Sequence, residues 1–175
     1  MYASKRFQTW YNGSPKEKLS QAQILLEHLR QKKMLDTALL KEIEFLRSGC
    51  LRLAAQMVDM ALGRLCGSCA SRPDGGCCSA YMADNTDSIQ ILINLLLGME
   101  IVRREPNDSD CCFLGSMGCL FMAKPIFCLN YNCIHIVTGS DSAALALLEQ
   151  LAAAVLSQQT RIETIVLERL LHCND

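Results

Sequence analysis

Cysteine is the residue type whose number and spacing in this chain could do chemistry. The sequence has 175 residues and 11 cysteines, and nine of those cysteines fall between Cys66 and Cys133. These nine follow the pattern C-x2-C-x7-CC and then CC-x6-C-x8-C-x4-C. Clustered thiols of this kind can form disulfides, act as nucleophiles, fill a core or hold a metal ion.

Metal binding is the chemistry that the pattern favours. The cysteine count is odd, two pairs are adjacent, and the start of the chain lacks the apolar segment of a secretory signal. We therefore expect a cytoplasmic protein whose thiols stay reduced. The spacing Cys66-x2-Cys69 suits a tight turn that places two thiolates on one metal, although redox dithiols use the same spacing. We predict a metal site rather than a disulfide framework.

The same segment resembles the YkgJ-type cysteine-cluster proteins, a family described as zinc- or iron-chelating domains. The resemblance covers about residues 66–133 and rests on Cys66, Cys69, Cys77, Cys78, Cys112-Phe113-Leu114, Gly118-Cys119, Lys124-Pro125-Ile126-Phe127-Cys128 and Cys133. It implies a metal centre whose ligands are Cys66, Cys69, Cys77, Cys78, Cys112, Cys119, Cys128 and Cys133. The chain departs from the family in two places. The seven residues that separate Cys69 from Cys77 are a longer insertion than the family pattern leads us to expect, and lysine stands at position 124 where the family has arginine.

The remaining cysteines and one histidine have simpler interpretations. Cys50 lies on the apolar face of a predicted helix, and we expect it to pack in the core as a small hydrophobe. Cys111 precedes the matching family segment, and Cys173 lies beside the end of the sequence. His135 follows Cys133 closely and is a further candidate ligand.

Thiolate ligands suit both zinc and iron–sulfur clusters. Structural zinc sites often use two short cysteine knuckles, and this chain has one, with irregular spacings elsewhere. An iron–sulfur cluster is larger than one ion and can accept thiolates that arrive from separate directions. Apolar residues between the cysteines, such as Phe113 and Phe121, would shield it from water. We favour an iron–sulfur cluster, Zn²⁺ stays open, and the eight thiolates could serve one or two centres.

Helices must position these cysteines. Ser14-Pro15-Lys16-Glu17 has the form of a capping box and predicts a helix over about residues 15–33. Asp36 can cap a second helix, whose apolar stripe continues for about seven turns to Leu65. Residues 86–88 can cap a third helix that ends near Met99, and residues 138–141 can cap a last one that ends near Leu171. Ile134–Val137 is the one short candidate strand.

These elements predict a mostly α fold, a bundle of long helices with a cysteine-rich metal-binding loop region at one end. We expect a single domain over residues 1–175. Within it, residues 15–65 form a helical hairpin scaffold, residues 66–133 form the cysteine-cluster region, and residues 139–173 form a long C-terminal helix.

Composition narrows the classes of function. A net charge of −1 argues against nucleic-acid binding, and the apolar runs are too short or too interrupted to span a membrane. No phosphate-binding loop and no carboxylate–histidine constellation is visible, so an enzyme ranks lowest and no catalytic residue is named. The leading hypothesis is a metal-binding redox, sensing or accessory module that serves a protein partner. A metal chaperone and a zinc-stabilised interaction protein are the alternatives.

Overall fold

The structure, a computed structural model, describes residues 8–70, 76–102, 110–116, 118–130 and 132–172, without the side chains of residues 67, 69, 70 and 172. It is a mostly α helical bundle, as predicted. Its helices are α1 (Pro15–Gln31), α2 (Thr37–Asp59), α3 (Leu62–Ala70), α4 (Ala80–Asp84), α5 (Ser88–Leu96), α6 (Ile126–Asn130), α7 (Ile134–Gly139) and α8 (Ser142–His172). Two short strands, β1 (Leu114–Gly115) and β2 (Gly118–Cys119), form an antiparallel hairpin.

Side-chain caps begin the two N-terminal helices where the sequence predicts. At α1, the Ser14 hydroxyl accepts from the Glu17 amide, and the Glu17 carboxylate accepts from the Ser14 amide at 2.7 Å. At α2, Asp36 accepts from the Leu39 amide at 2.9 Å. Each cap satisfies backbone donors that the helix itself leaves unpaired, which is why the local sequence is sufficient to place both starts.

The prediction of one helix from Asp36 to Leu65 is wrong, because α2 ends at Asp59 and α3 begins at Leu62. Between them Ala61 has a left-handed backbone with φ of 55°. Neither proline nor glycine stands at residues 59–62, so the sequence carries no local signal for this break. As a result, Cys66 and Cys69 lie one turn apart within α3 and not in a tight turn.

The core of the bundle is the antiparallel pair α2 and α8. Buried apolar residues of the two helices, among them Leu46, Leu53, Val155 and Ile162, pack into one hydrophobic cluster. Polar contacts tie the pair together at both ends: Arg169 bonds Asp36 at 2.9 Å, and the Gln56 amide donates to the Ala144 carbonyl at 3.0 Å. Helix α1 packs along α5, and α5 contacts α8.

The structure also corrects the reading of Ile134–Val137, which belongs to helix α7 and not to a strand. Asp141 accepts from the amides of Ala143 and Ala144, so the last helix begins close to the predicted position. Within the described ranges, no helix combines the length and the hydropathy that crossing a membrane requires.

Candidate functional site

A cavity of about 640 Å³ is lined by most of the described cysteines. Its wall is formed by the C-terminal half of α2, the start of α8, helix α3 and parts of the segments 77–86 and 111–136. Most of the wall is apolar and includes Met57, Leu62, Phe113 and Leu148. The cysteines in the wall are Cys50, Cys66, Cys77, Cys78, Cys111, Cys119, Cys128 and Cys133.

Backbone pairing brings distant cysteines to this cavity. The Cys111 amide donates to the Cys78 carbonyl at 3.0 Å, and Ser79 forms an antiparallel bridge with Asp110. In the hairpin, Leu114 lies opposite Cys119. The hairpin then meets α3 at Gly118, where a Cβ atom would lie 3.4 Å from the Gly63 Cα. The φ of Gly118 is 105°, which also favours glycine, so this position allows β2 to approach α3 closely.

A buried network of amide side chains holds the next part of the wall. Asn94 of α5 accepts from the Ala123 amide at 3.0 Å and donates to the Ala123 carbonyl at 2.9 Å. Gln90 donates to the same carbonyl at 2.7 Å, and Gln159 of α8 donates to the Lys124 carbonyl at 3.1 Å. Asn94 is fully buried. These three residues, which we call the amide clasp, attach the segment before Cys128 to two helices.

The adjacent thiols Cys77 and Cys78 polarise each other. A hydrogen bond with Cys78 lowers the pKa of Cys77, whose side chain is exposed. The same hydrogen bond raises the pKa of Cys78, and burial and the charges of neighbouring thiolates, Cys66 among them, raise it further. Within the pair, ionisation is therefore favoured at the exposed Cys77 and opposed at the half-buried Cys78.

Burial opposes the ionisation of three further cavity thiols, Cys111, Cys119 and Cys128. Burial raises the pKa of Cys111 to about 11 and that of Cys128 to about 12. Mutual repulsion contributes, because ionised Cys119 raises the pKa of both residues and ionised Cys77 raises that of Cys128. The pKa of Cys119 is itself raised by burial. Because these charges act on one another, the cysteine side chains lie within electrostatic range. Cys128 lies near Cys77 and Cys78 as well as near Cys111 and Cys119.

The structure brings together six of the eight cysteines that the family resemblance implies as ligands: Cys66, Cys77, Cys78, Cys119, Cys128 and Cys133. Cys112 is instead 3% exposed within the hydrophobic core. The side chain of Cys69 and the whole of Cys173 lie outside the described residues. His135 also lines the cavity.

Two cysteines that the sequence places outside the ligand set line the cavity as well. Cys50 is 1% exposed on α2, as expected of a core residue, yet it also borders the cavity. Cys111 lies in the wall where the resemblance implies Cys112. Only the pairing of Cys111 with Cys78 reveals this, since adjacent cysteines are indistinguishable by spacing. The amide clasp also escapes sequence reasoning, because its residues are scattered over α5 and α8.

The donor set fits a thiolate-bound metal in chemistry and in number. Sulfur ligands in an apolar wall suit zinc or an iron–sulfur cluster, and a bound cation would relieve the repulsion between ionised thiols. Among the described side chains, however, no three Cys, His, Asp or Glu residues are arranged closely enough to hold a metal ion.

Function has to be inferred from this cavity and its thiols. A comparison of the chain with models of protein families, with curated proteins and with solved structures finds no match in any of the three.

Proposed function

We propose that the protein binds a metal centre through cavity thiolates and acts as a redox, sensing or accessory module. The observation that carries this proposal is the convergence of eight cysteine side chains, from across residues 50–133, on one apolar cavity. Core packing alone does not require so many thiols at one place, and seven of these eight are half-buried or exposed at the cavity wall.

The candidate ligands are best drawn from the thiols that affect one another's charge. The charges of Cys66, Cys77 and Cys128 raise the pKa of Cys78, and those of Cys111 and Cys119 raise the pKa of Cys128. Metal binding would replace the protons of these thiols, so metal affinity should rise with pH.

The size and composition of the cavity favour an iron–sulfur cluster over a single zinc ion. A volume of about 640 Å³ lies in the range of small-molecule sites and exceeds what one ion needs. The thiols also come from several directions, which suits a cluster with several iron atoms. The apolar wall would exclude water from it.

A metal chaperone is the second candidate, and the exposed thiol of Cys77 favours it. Metal transfer needs a ligand that a partner can reach, and Cys77 is exposed while it lines the same cavity. The apolar side chains of Leu51, Val58 and Phe127, each more than half exposed, also line the cavity. Such a rim suits contact with a protein partner, and reduced thiols suit the cytoplasm.

Anaerobic purification tests the proposal. We expect a brown protein that contains iron and acid-labile sulfide in stoichiometric amounts and loses its colour in air. A colourless protein with stoichiometric zinc and no labile sulfide would support the chaperone or a zinc-stabilised interaction protein. Protein that contains neither metal, and binds neither after anaerobic reconstitution, would contradict the proposal.

A further inference from the structure

Lys124 is the one Lys, Arg, Asp or Glu among the described residues that line the cavity. Its side chain is half-buried, and the ion pairs found among the described residues do not include it. An ammonium group beside apolar side chains is poorly solvated unless an anion approaches it. In this wall the groups that can become anions are the thiols.

Three cavity thiols lie within electrostatic range of Lys124. Lys124 lines the same cavity wall as Cys50, Cys119 and Cys128, and its positive charge acts on each of these thiols. These cysteines come from α2, β2 and α6, so Lys124 lies where separate elements meet.

The amide clasp fixes the backbone that carries Lys124. Gln159 holds the carbonyl of Lys124, and Asn94 holds both backbone groups of Ala123. Pro125 follows and restricts the chain further. The position of this lysine is therefore set by two helices and not by the thiols themselves.

We propose that Lys124 is the counter-charge of the thiolate centre. This inference rests on the proposed function and deepens it. Four thiolates around one Zn²⁺ leave a net charge of about −2, and an apolar wall solvates such a charge poorly. An ammonium group fixed in the wall offsets part of that charge, so it strengthens metal binding. It also favours the reduced, more negative form of a redox-active cluster.

Three variants of the full-length chain test the role of Lys124. Lys124→Gln removes the charge, Lys124→Arg keeps it, and Lys41→Gln removes a charge from an exposed site on α2 as a control. Zn²⁺ affinity of each metal-free protein is measured by competition with a chelator. We expect Lys124→Gln to bind Zn²⁺ about tenfold or more weakly than wild type, and the other two variants to stay within about threefold. If the isolated protein is brown, Lys124→Gln should also shift its midpoint potential to more negative values.

The outcomes separate this inference from the proposed function. Wild-type protein that binds no metal contradicts both. Wild-type binding with equal Zn²⁺ affinity in Lys124→Gln overturns the role of Lys124 alone, and so does an equal loss in Lys124→Gln and Lys124→Arg, because charge would then not be the cause. Circular dichroism of each variant checks that the helices are retained.

Discussion

The two pairs of adjacent cysteines show how neighbouring residues acquire different chemistry. Cys111 and Cys112 lie in a turn that the Leu114 amide closes by donating to the Cys111 carbonyl at 2.9 Å, and in this turn one thiol faces the cavity while the other enters the core. Cys111, which bonds Cys78 through its backbone, lines the cavity, whereas Cys112 is buried in the hydrophobic core. The cavity position therefore makes Cys111 the candidate ligand, whereas the family resemblance implies Cys112.

Serine substitutions at these two positions distinguish the two assignments. We expect Cys111→Ser to lower the metal content of the isolated protein, because it removes a thiol from the cavity. Cys112→Ser should keep the metal but reduce the free energy of unfolding by about 1–3 kcal/mol, since it buries a hydroxyl in the core. Metal analysis and urea denaturation measure the two effects. Loss of metal in Cys112→Ser alone would favour the ligand set implied by the resemblance.

At the scale of elements, the amide clasp positions the segment between Cys119 and Cys128. The segment 120–125 has no regular secondary structure, so its backbone groups need partners from elsewhere. Asn94, Gln90 and Gln159 supply them from α5 and α8. The Oε1 atom of Gln159 is buried without a hydrogen-bond partner among the described residues, which is the cost of this arrangement.

Removal of Asn94 should destabilise the protein strongly. Asn94→Ala leaves the Ala123 amide without its acceptor, and we expect a loss of about 2–4 kcal/mol in the free energy of unfolding. Asn85→Ala is the matched control, because Asn94 and Asn85 each donate to the carbonyl four residues earlier, at Gln90 and Tyr81, but Asn85 is exposed. Urea denaturation should give a loss within about 0.5 kcal/mol for the control. Equal losses in the two variants would show that the clasp contributes little.

At the scale of the whole molecule, ionisable side chains from α1, the start of α5 and α8 lie within electrostatic range of one another. Lys18 is 3% exposed and donates to the Asp84 carbonyl. Burial raises the pKa of Asp87 at the start of α5, and burial together with the charge of Asp87 raises the pKa of Glu163 on α8. The folded state thus favours the protonated form of both carboxyls.

The raised pKa of Glu163 predicts how the free energy of unfolding changes with pH. A raised folded-state pKa means that Glu163 stabilises the fold fully below its unfolded-state pKa of about 4.3, and that this contribution is lost as pH rises through the folded-state value. Glu163→Gln removes the titration. Its free energy of unfolding should therefore increase relative to wild type as pH rises from 4 to about 7.

Urea denaturation across this pH range measures that difference. Glu168→Gln, an exposed change on the same helix, controls for the loss of one negative charge. A difference between Glu163→Gln and wild type that stays constant, or falls, as pH rises would contradict the prediction.

Much of the helical framework could be predicted because its signals are local. The capping box at Ser14, the cap at Asp36 and the apolar periodicity of α2 act through residues a few positions apart. They therefore have the same effect in any tertiary context. The clustering of cysteines is likewise visible in the sequence, and it predicts metal binding.

Only the tertiary structure decided which cysteines meet and where helices break. The left-handed Ala61 and the helix over Ile134–Val137 are seen in the structure alone. The cavity position of Cys111 depends on a contact between segments distant in sequence, its backbone pairing with Cys78. So does the attachment of Lys124 to α5 and α8 through the amide clasp. A residue's own neighbours set its backbone preference, but its partners across the fold determine whether its side chain enters a core or a cavity.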